Sequence, residues 1–106
     1  MRFRWAEDLF SQRDYRGAAK VLEEIVAAAT DEAGHHRLTD ARTLLARSYY
    51  HSAQLRRAEA TARELLADDP TDGYAALLLA RTLERGNRRD EAVPFRSLAT
   101  ALGAAA

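Results

Sequence analysis

The stretch at residues 45–70, LARSYYHSAQLRRAEATARELLADDP, decides the fold. Within it Ala46 is followed three positions later by Tyr49, and Tyr49 nine positions later by Ala58. The same spacing recurs at Ala6, Leu9 and Ala18, and again at Ala80, Leu83 and Ala92. The second and third copies are offset by 34 positions and the first and second by 40, so about six extra residues enter at the first junction. A period of this size marks stacked supersecondary units, each unable to bury its apolar face without a neighbour.

The pattern resembles the tetratricopeptide repeat, a pair of helices with a small residue and an aromatic on the first (A) and an alanine and a proline on the second (B). Repeat two carries Leu45, Ala46, Tyr49, Ala58 and Pro70 on the family's spacing, with Arg42 and Ala62 at two positions where the family has bulkier residues. Repeat three keeps Leu79, Ala80, Leu83, Ala92 and Ala99, with Arg96 in an apolar place. Repeat one keeps Trp5, Ala6, Leu9, Tyr15, Ala18, Leu22 and Ile25, and Trp5 falls at the leucine position of the signature. The resemblance implies an all-α fold: three tandem helix-turn-helix repeats, at about residues 1–37, 38–71 and 72–106, forming one domain, a short right-handed α-solenoid.

Between the turns most residues are good helix formers, with Gly and Pro at expected ends. The expected helices are residues 2–12, 15 to about 29 or 33, 40–52, 55–67, 72–85 and 90–102. Asp14, Thr39 and either Thr71 or Asp72 are the expected N-terminal caps, because a short side-chain oxygen there accepts from the unpaired N–H groups of the first turn. Gly34 favours placing the extra residues of the first junction in a longer B helix that stops there. Gly86-Asn87 supplies a left-handed turn, and Pro94 is expected near the first turn of the last helix, where a missing N–H matters least. The recurring alanines sit where paired helices cross, allowing a close approach of backbones.

Sixteen acidic residues balance sixteen basic ones. That balance argues against a general nucleic-acid binder, which needs a positive excess to displace counterions. No run approaches the roughly 18 apolar residues of a membrane span, and the first residues are charged where a secretory leader would be apolar, so a cytoplasmic protein with no membrane partner is expected. Arginine and alanine dominate and Lys20 is the single lysine, a bias that a GC-rich bacterial coding sequence produces. Cysteine is absent, His35 and His36 are adjacent and point apart, and His51 stands alone, so neither a metal site nor a cofactor is expected. The serines lie outside any Gly-x-Ser-x-Gly context, and no Gly-rich phosphate loop is present, so an enzyme is not expected. Asp68 and Asp69 beside Pro70 read as turn residues.

In the family the A helices line a concave groove, and ligand contacts come from the second, fifth, ninth, twelfth and thirteenth positions of each repeat. Carried over by register, the resemblance implies Phe3, Glu7, Phe10 and Ser11 in repeat one. It implies Asp40, Thr43, Arg47, Tyr50 and His51 in repeat two, and Tyr74, Leu77, Arg81, Glu84 and Arg85 in repeat three. Arginines beside aromatics are the usual chemistry of interaction hot spots, and they favour an acidic protein or peptide partner. The competing reading leaves these arginines solvated or paired with Glu7 and Glu84. Glu7 stands where chaperone-tail binders of the family carry a clamp asparagine, so that specificity is not implied. On the last B helix Phe95, Leu98 and Leu102 form an i, i+3, i+7 apolar stripe. The sequence therefore predicts a non-catalytic protein–protein interaction module, with a homodimer through this last helix as the alternative.

Overall fold

The computed structural model describes residues 2–29 and 35–104. It contains α1 (Arg2–Ser11), α2 (Tyr15–Ala28), α3 (His35–His51), α4 (Leu55–Asp68), α5 (Gly73–Arg85) and α6 (Arg89–Ala101), with no strand among the described residues. Each helix packs on the next along the chain; beyond that, the backbone of α1 approaches α3 and that of α3 approaches α5, whereas α2, α4 and α6 meet only through side chains, Arg57 with Glu23 and Arg63 with Phe95. The odd-numbered A helices are therefore crowded on the inside of the curve and the B helices splay on the outside. This is the geometry of a solenoid with a concave face built from α1, α3 and α5.

The turn within each repeat has one design. Arg13, Ala53 and Asn87 have φ of 66°, 62° and 64°. In each case the next amide reaches back five residues: Asp14 N–H to the Leu9 carbonyl, Gln54 to Tyr49 and Arg88 to Leu83, all at 2.8 Å. Together with the bonds from Arg13 to Phe10, Ala53 to Tyr50 and Asn87 to Glu84, these satisfy the last carbonyls of each A helix in a Schellman motif. Gly103, with φ of 80°, ends α6 in the same way, the Ala104 amide bonding the Ala99 carbonyl at 2.8 Å.

Asp14 caps α2 through the Gly17 amide and Asp72 caps α5 through the Ala75 amide, as expected. Thr39 does not cap α3. That helix begins a turn earlier, at His35, because His35-His36-Arg37-Leu38 contains no breaker, and α2 stops at Ala28 with Ala29 extended. The extra residues of repeat one thus lengthen the following A helix and not the preceding B helix; Gly34 itself lies outside the described residues. His35 and His36 belong to the first turn of α3 and not to a loop. Pro94 lies in the second turn of α6, deeper than expected, which leaves the Asp90 carbonyl without its helical N–H partner.

All six recurring alanines are at most 1 % exposed. Around them one apolar cluster joins α1, α2 and α3 through Ala6, Leu22, Leu45 and Tyr49, and a second joins α4, α5 and α6 through Ala62, Leu79, Leu83 and Ala92. The Tyr49 hydroxyl donates to Glu23 Oε2 at 2.5 Å, tying α3 to α2. Burial, then that hydrogen bond and the Glu23 charge, raises the phenol well above its ordinary value. Arg42, which replaces a bulky residue of the signature, instead bonds Asp68 at 2.6 Å across α3 and α4, and Asp69 accepts from the Thr71 amide and hydroxyl in the turn before Asp72. Among the described residues, no helix is long and apolar enough to cross a membrane.

Candidate functional site

The concave face has an apolar floor and a basic rim. Between α1 and α3, Phe3, Glu7, Asp40, Thr43, Leu44 and Arg47 line a cleft of about 210 Å³. A second of about 540 Å³ shares Glu7, Leu44 and Arg47 with it and extends to Phe10, Ser11, Arg13 and Tyr15. The two form one channel running along the A helices.

At its end the side chains stack in an unbroken row. The Arg47 guanidinium lies 4.7 Å from the centre of the Phe10 ring. Phe10 meets His51 edge-on at 5.6 Å, and His51 meets Tyr50 edge-on at 5.5 Å. The Arg85 guanidinium lies 5.0 Å over Tyr50, donating a 2.6 Å hydrogen bond to the Tyr50 carbonyl. Tyr15 backs the row, stacked on His51 at 4.8 Å. Helical spacing explains the row: Arg47, Tyr50 and His51 fall on one side of the last turn of α3, and the α1 and α5 ends bring Phe10 and Arg85 to it. Burial, then the positive charges of Arg47 and Arg85, pushes the His51 imidazole below its ordinary value, favouring the neutral form.

The arginines are not matched by carboxylates. Among the described residues, none of Arg47, Arg81 and Arg85 has an ion-pair partner. Glu84, the partner offered by the competing reading, turns to α6 and binds Arg96 through two hydrogen bonds of 2.7 and 2.8 Å. Glu7 lines the channel without pairing to Arg47. A guanidinium held over an aromatic ring can still donate to a carboxylate through N–H groups not otherwise engaged, and Arg85 gives one of its own to the Tyr50 carbonyl.

Most of the expected groove residues reach this face. Phe3, Phe10, Thr43, Arg47 and Tyr50 are half-buried along it, with Glu7, His51 and Arg85 exposed; Arg81 and Tyr74 are exposed on α5 and line neither cleft. Leu77 does not reach it: it is buried in a cluster with Ala76 and Ala99, against which Leu98, Ala104 and Leu66 of α4 pack. Leu44 and Tyr15 line the site without having been expected there. Leu44 lies one helical turn before Ser48 and packs toward α1, and Tyr15 was read only as part of the repeat signature.

The apolar stripe on α6 faces inward. Phe95 packs on Ala62, Leu79 and Leu83, with the Arg63 guanidinium 5.3 Å over its ring, and Leu98 packs on Ala76 and Leu77. Val21 and Thr61 hold the same place in repeats one and two and are buried as well, so the position is a core position in every repeat. Leu102 stays partly exposed beside Gly73. Among the described residues, no group of three His, Cys, Asp or Glu side chains is placed to hold a metal ion.

Six stacked helices with an aromatic and basic inner face define a helical-repeat protein. A family model described as tetratricopeptide repeat matches residues 9–82. The chain belongs to the tetratricopeptide repeat family, whose repeats generally mediate protein–protein interaction. No curated protein and no solved structure matches the sequence.

Proposed function

We propose that this protein is a non-catalytic interaction module that holds an acidic peptide or protein segment against its concave face. The observation that carries the reading is the stacked row in which Arg47 and Arg85 lie on Phe10 and Tyr50 with no carboxylate of the described chain to neutralise them. Other arginines do find partners: Arg42 on Asp68, Arg88 on Glu59 and Glu91, Arg96 on Glu84. An extended segment laid along the channel would place its carboxylates on the two guanidiniums and its apolar side chains on Leu44 and Phe10. Interaction hot spots commonly combine such aromatic and arginine anchors.

Binding of the purified chain to an array of immobilised short peptides tests the reading. Acid-rich peptides with interspersed apolar residues should be retained, and the double substitution Arg47→Glu, Arg85→Glu should lose them, with helicity unchanged. Equal retention of basic and acidic peptides, or retention unaffected by the double substitution, would refute it.

A further inference from the structure

The outer face of α1 is built differently from the matching faces of α3 and α5, and the difference points to a second contact surface away from the groove. Trp5 occupies the repeat position of Leu45 and Leu79, which are 5 % and 0 % exposed because the preceding repeat covers them, whereas Trp5 is 55 % exposed on α1. Its neighbours depart from the other repeats in a second way. Arg4 stands where α3 and α5 bury Leu44 and Leu78, and Asp8 where they bury Ser48 and Thr82. Both are exposed, and neither belongs to an ion pair among the described residues.

This face carries charge where α3 and α5 bury uncharged side chains. Any helix laid over α1 would have to supply a partner to both Arg4 and Asp8, which it would remove from water. The α6 helix of another copy would bring Arg96 there, in the place where α4 buries Ala62, and Glu84 already holds that arginine.

We infer that the outer face of α1 joins a second copy of this chain in a two-fold contact, the two α1 helices running antiparallel with Trp5 against Trp5 and Arg4 against Asp8 in both directions. A two-fold axis makes any such contact self-complementary: if Arg4 of one copy meets Asp8 of the other, the reverse pair forms as well. The charges lie one turn apart on either side of the axis, and the tryptophan supplies the apolar centre that they ring. The contact is small, so it forms in the range of about 1 µM to about 1 mM.

Trp5 is the only tryptophan, so the contact reports on itself. Sedimentation equilibrium and tryptophan emission are followed together over that concentration range. Mass should rise to that of a dimer as the emission moves to shorter wavelength. Arg4→Asp and Asp8→Arg should each weaken dimerisation by about tenfold or more through like-charge opposition, and the two together should restore it to within about threefold of the original. Circular dichroism guards against loss of fold in these exposed variants. A chain monomeric up to about 1 mM, a dimer indifferent to the single charge reversals, or a double exchange that fails to rescue would each overturn the inference.

Discussion

Leu79→Ala and Trp5→Ala remove the side chain from the same repeat position, yet the two should differ widely in stability. Leu79 has no exposed surface and sits among Ala62, Ala80, Leu83 and Ala92 at the junction of α4, α5 and α6. Its truncation deletes three carbons and leaves a cavity, which costs about 3–5 kcal/mol where the surroundings cannot collapse. Backbones held close by alanines leave little to collapse with. Trp5 keeps just over half of its surface in water, so its truncation forfeits about 1–2 kcal/mol, under half of the usual penalty for a buried tryptophan. Urea denaturation at low micromolar concentration, read by circular dichroism, gives both values, and a shared slope confirms that the same surface is exposed. Since a domain of this size holds about 5–15 kcal/mol in all, Leu79→Ala should come close to unfolding it. Equal losses in the two variants would show that the preceding repeat does not determine burial at this position, and the repeat register would fall with it.

Ala46→Leu and Ala80→Leu should each destabilise by about 1–3 kcal/mol through overpacking at a close helix crossing; thermal denaturation checks both. Ala53→Gly should stabilise by up to about 1 kcal/mol, because Ala53 holds φ at 62° and only glycine takes that geometry freely; the urea midpoint should rise. The lowered His51 value gives a pH dependence with a definite sign. On acidification below the ordinary histidine value of 6.5, the unfolded chain takes up a proton at His51 before the folded one does, so that stability falls as pH falls. His51→Gln should remove this part of the slope, and an acidic ligand lying between Arg47 and Arg85 should shift the His51 titration upward in nuclear magnetic resonance spectra.

The repeat was legible because its signal is made of small residues. Ala6, Ala46 and Ala80 and their partners Ala18, Ala58 and Ala92 are fixed by backbone approach, a constraint that little else in the sequence can satisfy, and Asp14 and Asp72 announce their helix starts for an equally local reason. Thr39 misled because a cap residue is also tolerated inside a helix: nothing in His35–Leu38 stops α3 from starting a turn earlier. The channel could be placed by register alone, since side chains five or nine positions into an A helix point the same way in each repeat. Register failed at Leu77, where the end of the array changes the environment. There the chain turns back at Gly103, and Ala104 covers a side chain that would otherwise face the groove. The α6 stripe failed for a related reason: Phe95 was compared with the polarity of Thr61, whereas Thr61 is buried and Phe95 packs against the core, partly buried. The stacking of Arg47, Phe10, His51, Tyr50 and Arg85 was beyond reach of the sequence, because it depends on how the ends of α1, α3 and α5 converge.

The central claim, that the concave face and not the outer surface holds the partner, is most directly tested by mapping amide shifts on the isotopically labelled chain as an acid-rich peptide from the array is added. The shifts should concentrate on Glu7, Phe10, Thr43, Arg47, Tyr50, His51, Arg81 and Arg85, and should vanish in the Arg47→Glu, Arg85→Glu variant. Shifts confined to α2, α4 and α6, with the A helices silent, would contradict the account.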